Sequence, residues 1–179
     1  MMFKKILVAL DRSEIGQQVF EEALGLAKLT QASLMLVHVL STEEEGSPYV
    51  PMLSNFDYYP GLSSQSFELY QKQWDTFKNL GIQMLQSFCT QANAAGVTTE
   101  FTQNIGNPGR IICDLAHSYG ADLIVMGRRG RSGLMELFLG SVSNYVLHHA
   151  ACTVHVVHLS ASPKTHEVVK ETTSTLSVN

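Results

Sequence analysis

Positive charge is scarce in this 179-residue chain: twelve Lys and Arg stand against sixteen Asp and Glu, a formal net charge of −4. A broad nucleic-acid surface needs a basic face, so the balance argues against a polynucleotide ligand. Cysteine is equally thin. Cys89, Cys113 and Cys152 lie far apart, with no C-x-x-C or zinc-finger spacing, so buried free thiols are the expectation. No apolar run approaches the roughly 20 residues that cross a bilayer. Only Ile6 to Leu10 separate Lys4-Lys5 from Asp11, too short for a signal-peptide core. These absences predict a soluble, cytoplasmic protein with no membrane partner. Neither G-x4-G-K-[ST] nor G-x-G-x-x-G occurs, which weakens ordinary NTPase and dinucleotide-dehydrogenase readings.

What is present is enough for a core. With 45% hydrophobic and 16% charged residues, the chain fits one compact domain with some excess. Short apolar runs alternate with segments at helical spacing, the pattern of an α/β domain with a parallel sheet. Strands are predicted over Lys5–Leu10, Ser33–Leu40, Thr98–Gln103, Leu123–Met126 and Thr153–Val157. The first, second and fourth are nearly continuous in Ile, Leu and Val, as strands covered on both faces are. The alternation Val154-His-Val-Val-His158 points to an edge or an interface.

Between the strands, Ser13 is a suitable N-cap and places Glu14 in the first turn of a helix. Val19, Ala23, Leu26 and Ala27 give that helix a buried stripe, and Gly16, Ala23, Gly25 and Ala27 let it sit close to the sheet. Phe67, Tyr70, Trp74, Phe77, Gly81, Met84 and Phe88 follow at alternating three- and four-residue steps. They predict a long amphipathic helix ending at Gly96, its aromatic stripe a matter of core packing. Pro108 suits the first turn of a further helix that turns Ile111, Ile112, Leu115 and Ala116 inward. Residues 41–66, with Glu43-Glu-Glu45 and Pro48, Pro51 and Pro60, read as a long insert loop within a domain spanning 1–159. Tyr49, Phe56, Tyr58 and Tyr59 of that insert could pack over a site or against a partner. Residues 160–179 read as a flexible tail.

The chemistry concentrates where the fourth strand ends. Gly127-Arg-Arg-Gly130 is followed, after nine residues, by Gly140-Ser141. Glycines tolerate positive φ and let a ligand approach the main chain. A helix opening at Ser141 presents unpaired N–H groups and the positive end of its dipole, which suits an anion. Arg128, Arg129 and Arg131 add local positive charge. In an open parallel sheet, ligands bind beyond the carboxyl ends of strands where the strand order reverses. Strands one and four flank that point, so Asp11 and Gly127 belong to one mouth. Each residue also has a plainer role. Asp11 can start a turn or cap the first helix with Ser13, Ser141 can be only an N-cap, and the arginines can be solvated.

The spacing G-x2-G-x9-G-S, Asp11-Arg-Ser13 after the first strand, Leu36-Val-His-Val39 and Gly106-Asn-Pro108 together resemble the ATP-binding subgroup of the universal stress protein family. The resemblance runs over roughly residues 2–158. It implies a Rossmann-like fold of the adenine-nucleotide α-hydrolase type. Ala9, Leu10, Val39 and Met126 would then line the base and ribose pocket, with Asp11 near the base or ribose or beside a magnesium ion. Gly127, Arg128, Arg129 and Gly130 would wrap the triphosphate of ATP, or the shorter tails of ADP or AMP. Backbone N–H groups at Gly140, Ser141 and Val142, with the hydroxyls of Ser141 and Ser143, would hold its oxygens. It further implies a regulatory, stress-response role with slow hydrolysis at most, and a homodimer formed through Thr153–Val157. No general base accompanies the glycine loop, so no catalytic residue is assigned.

His148, His149, His155 and His158 resemble a metal cluster at first glance, but helix and strand geometry would not gather them on one face. His38, inside the second strand, reads as a satisfied core histidine. Two rival functions stand: a nucleotide-independent interaction module, and an adenylating enzyme, whose S-G-G-x-D-S loop Asp11-Arg-Ser13 does not supply.

Overall fold

The computed structural model describes residues 3–42, 44, 46–48, 60–128 and 140–158. Five strands alternate with four helices: β1 Lys5–Leu10, α1 Glu14–Thr30, β2 Ser33–Leu40, α2 Pro60–Ala94, β3 Thr99–Ile105, α3 Pro108–Tyr119, β4 Leu123–Gly127, α4 Ser141–His149 and β5 Thr153–Val157. Every strand pair is parallel, and the sheet order is β3-β2-β1-β4-β5. The chain therefore winds outward from β1 through β2 to β3, returns to β4 on β1's other side, and ends at the β5 edge. Right-handed crossovers then require α1 and α2 on one face and α3 and α4 on the other.

Two cores follow from the pleat. Ile6, Val8 and Leu10 pack with Val19, Phe20, Ala23, Leu85 and Phe88 of α1 and α2. Phe20 and Phe88 stack with centroids 4.4 Å apart. Leu7, Val37, Val39, Ile124 and Met126 pack instead with Ile112, Ala116 and Val146 of α3 and α4. At the opposite, N-terminal edge of the sheet, the Asp122 carboxylate accepts the main-chain N–H groups of Lys4 and Lys5 at 2.8 and 3.0 Å. Those bonds hold its pKa below the usual carboxylate value.

Several expectations need correction. α2 begins at Pro60, not Phe67, so the last seven residues of the expected loop 41–66 are its first two turns. Proline suits a helix start because its missing N–H would have had no intrahelical partner there. With 35 residues α2 is about 52 Å long, far beyond the eight-residue β2. Among its described side chains burial starts at Phe77, while Phe67 is 59% exposed. The aromatic stripe thus joins the core only in its C-terminal half. β3 starts one residue later and runs two residues further than predicted, pairing Ile105 with Leu40. Gly25 lies on the exposed face of α1 and helps no close approach, whereas a Cβ at Gly16 would overlap the Asp11 carbonyl. The three cysteines are free but half-buried rather than buried. Tyr49, Phe56, Tyr58 and Tyr59, and the tail 160–179, lie outside the described residues.

The most deeply buried polar side chain among the described residues is an imidazole. His38 is 1% exposed, and its Nε2 lies 2.8 Å from Glu44 Oε1. The Gln103 amide donates to His38 Nδ1 at 2.9 Å and to the Lys78 carbonyl at 3.1 Å. Because the carbonyl can only accept, the Gln103 nitrogen must face both groups, so Nδ1 accepts and Nε2–H donates to Glu44. This bond ties the segment after β2 to the sheet. Gly81 of α2 makes the room, since a Cβ there would overlap the imidazole.

Candidate nucleotide site

The carboxyl ends of β1 and β4 adjoin, as the strand order requires. Ala9 is in register with Val37 on one side and Met126 on the other, and Leu10 with His38. Asp11 therefore stands one step past the last paired residue of β1, beside Val39. Gly127 closes β4 opposite Val157, and the Arg128 N–H donates to the Val157 carbonyl at 3.0 Å. The structure thus brings Ala9, Asp11, Val39, Met126, Gly127 and Arg128 to one rim. Arg129 and Gly130 fall outside the described residues.

Within that rim the residues contribute differently. Leu10 and Met126 are 4% and 3% exposed, with Leu10 turned into the α1 side of the core and Met126 into the α3 side. Their main chain, more than their side chains, faces the mouth. Val39 is 8% exposed and belongs to the same α3-side core. The Asp11 carboxylate is held from its own chain: Ser13 donates both its N–H, at 3.1 Å, and its hydroxyl to Oδ1. Ser13 occupies the N-cap position of α1 yet makes no side-chain cap. This departs from the expected capping role: the hydroxyl is turned towards Asp11 and away from the first-turn N–H groups of α1.

The glycines behave differently from the expected positive-φ turn. Gly127 is the last, extended residue of β4. A Cβ on it would lie 3.1 Å from Ile15 and 3.2 Å from Val19, so it is small because α1 packs on it. Gly140 has φ −61° and ψ 158°, a conformation open to any residue. It is the N-cap of α4 and supplies no side-chain acceptor to the first turn. Ser141 is exposed at that helix start, and Val142 is half-buried against the α3-side core. Ser143 is 2% exposed, and its hydroxyl donates to the Gly140 carbonyl at 3.0 Å, closing the turn from inside. What α4 offers outward is its first-turn N–H groups, the dipole and Ser141.

The histidines separate as the geometry predicts. His38 is in the core; His155 pairs with Glu22 of α1 at 2.7 Å; His149 stacks on Tyr145. His158 Nδ1 lies 3.5 Å from the Arg128 guanidinium. Among the described residues, no three His, Cys, Asp or Glu gather around a common point suited to a metal. Also among them, no helix is long and apolar enough to cross a membrane. Beyond Val39 the rim continues as a second hollow of ≈ 300 Å³ between α2 and the β3–α3 turn, walled by Leu40, Thr42, Trp74, Ile105 and Asn107. Trp74 of the aromatic stripe and Gly106-Asn-Pro108 line it, whereas none of the residues expected to bind the nucleotide does. The Ser13–Asp11 contact is the turn start expected as the plainer role of Asp11.

Residues 2–158 match the sequence pattern of the Universal stress protein family. The chain belongs to that family. A universal stress protein of Synechocystis sp., Sll1388, is 37% identical over 158 residues, covering 88% of this chain and 99% of its own. Among solved structures, a universal stress protein in complex with cAMP superimposes with a TM-score of 0.58 at 22% identity, over 89% of this chain and all of its own. The universal stress protein of Archaeoglobus fulgidus in complex with dAMP gives 0.55 at 19% identity, over 87% and 98%. At such identities the two structures speak for the shared universal stress protein fold.

Proposed function

We propose that this universal stress protein binds an adenine nucleotide, ATP by preference, at the β1/β4 rim and acts as a regulatory stress-response protein with slow or no hydrolysis. The observation that carries the reading is the start of α4: a nine-residue helix, the next described element after β4, whose N-cap is a glycine with no side-chain cap. Such an end suits a phosphate tail. Two relatives of the same fold bind cAMP and dAMP, which supports an adenylate rather than another anion. Ala9, Asp11, Val39 and the main chain of Leu10 and Met126 would face base and ribose. Gly127, Arg128, Arg129, Gly130, Gly140, Ser141, Val142 and the turn that Ser143 closes would face the phosphates. A magnesium ion would arrive on the nucleotide's oxygens, since Asp11 is the one carboxylate among the described residues of this rim and its Oδ1 already accepts from Ser13.

β5 is a sheet edge, with Val154 and Val156 half-buried on one face and Thr153 and His155 exposed on the other. An unpaired edge of this kind invites a second copy, which supports the homodimer.

Titration calorimetry with ATP, ADP and AMP, with and without magnesium, tests the proposal: saturable binding is expected, and no saturation would leave the interaction-module reading. Gly140→Val is a clean variant because valine accepts φ −61° and ψ 158°. It should fold as the parent does and lose binding; equal affinity would refute the phosphate assignment. Stoichiometric AMP and pyrophosphate would favour the adenylating enzyme instead.

A further inference from the structure

We infer that Ser13 is a positioning residue for nucleotide recognition, acting through the Asp11 carboxylate. The inference rests on the proposed nucleotide site and names a residue that the site's own outline omits. A serine at an N-cap ordinarily accepts a hydrogen bond from the second or third N–H of its helix. Ser13 makes no such bond. Its hydroxyl and its N–H both donate to Asp11 Oδ1. Two donors on one oxygen fix the carboxylate's rotation at the end of β1, so that it meets a ligand in one orientation.

The surrounding packing makes the arrangement rigid. The Gly16 N–H donates to the Ser13 carbonyl at 3.0 Å, closing a turn over Asp11. The Gly16 Cα rests so close to the Asp11 carbonyl that a Cβ would overlap it. On its other side the same turn leans on Gly127 through Ile15, 3.1 Å from where a Cβ would stand. The first turn of α1 is thus wedged between the carboxylate at the end of β1 and the glycine at the end of β4. Ser13 is exposed, so removing its hydroxyl leaves the core untouched.

The test is ATP affinity in the full-length parent, Ser13→Ala, Ser13→Thr, Asp11→Ala and the double variant Ser13→Ala/Asp11→Ala, with thermal melts as the folding control. A hydrogen bond to a charged group supports a loss of about tenfold in Ser13→Ala. Ser13→Thr keeps the hydroxyl and should stay within about twofold of the parent. In the Asp11→Ala background, Ser13→Ala should cause no further loss, because the group it orients is gone. Parent-like affinity in Ser13→Ala overturns the inference alone and leaves the nucleotide site standing. So does an equal loss in the Asp11→Ala background, which would mean that Ser13 acts independently of the carboxylate. A parent that binds no nucleotide overturns the site and this inference together.

Discussion

His38→Leu is the perturbation whose cost the structure defines best. The imidazole is 1% exposed and bonds on both nitrogens, to Glu44 and to Gln103. Leucine fills similar space but donates nothing. Glu44 is itself buried, and its second oxygen has no partner among the described residues. Losing the imidazole strips the bond that compensates the first. Breaking a buried polar pair from one side costs about 3–5 kcal/mol, since the remaining group keeps its desolvation penalty. Against a total stability of about 5–15 kcal/mol, that is a large fraction. At about 2–4 °C per kcal/mol for a domain of this size, the melting temperature should fall by at least about 6 °C. Urea unfolding measures the loss directly, with an unchanged slope showing that the two states are the same. His38→Leu/Glu44→Leu removes both partners and should recover at least half of the deficit. A single variant within about 1 kcal/mol of the parent, at unchanged slope, would refute the claim that this pair holds the segment after β2.

Phe20→Ala should cost about 3–5 kcal/mol in the same assay, because Phe20 is 1% exposed and stacked on Phe88; a loss below about 1 kcal/mol would mean that α1 and α2 repack around the void. Asp122 has a folded pKa held below its ordinary 3.8 by the Lys4 and Lys5 N–H groups. Its stabilisation is therefore present above the ordinary carboxylate value and disappears as the pH falls through the lower, folded one. Asp122→Asn should accordingly flatten the fall of stability in that acid window, as read from urea midpoints against pH. Burial pushes the thiols of Cys113 and Cys152 upward, with Asp114 adding to the first and Asp122 to the second. Both should react with a disulfide reagent at pH 8 more slowly than a free cysteine peptide, and a rate equal to the peptide's would contradict that environment.

Strand positions were legible because the runs from Lys5 to Leu10, Ser33 to Leu40 and Thr153 to Val157 are bounded by charge, turn or helix signals, and all three bounds match. The fold class followed from the alternation of apolar runs with helical segments, and the adjacency of the β1 and β4 ends from the point where the strand order reverses. Periodicity failed at the start of α2, where apolar spacing stops at Phe67 although the helix runs back to Pro60. Between Pro60 and Phe67 the sequence has one large apolar residue, Leu62, so no period is written there. The roles of glycines were also hidden. Gly127 and Gly140 looked alike, yet one is small because Ile15 and Val19 press on it and the other sits in ordinary extended backbone. Which atom a hydroxyl bonds cannot be read from spacing either: Ser13 suited a cap and Ser143 a phosphate contact, and one turns to a carboxylate, the other to a carbonyl.

Those hydroxyls say something about how the rim would recognise a ligand. Ser13 donates to Asp11, Ser143 to Gly140, and Asn107 accepts from Arg110 at the start of α3. These three side chains are committed to bonds within the protein, two of them to its main chain. An anionic ligand would then be gripped chiefly by main-chain N–H groups and a helix dipole, neither of which a point substitution removes. Two classes of variant should separate as a result. Changes to the rim's hydroxyls act by misplacing backbone or carboxylate, so a conservative replacement that restores the internal bond should restore affinity. Gly140→Val leaves the internal bonds of the turn intact and obstructs the approach to the backbone itself, so no second-site repair of a hydrogen bond should rescue it. If a hydroxyl restored elsewhere on the rim brought binding back to Gly140→Val, the main chain would not be the gripping element.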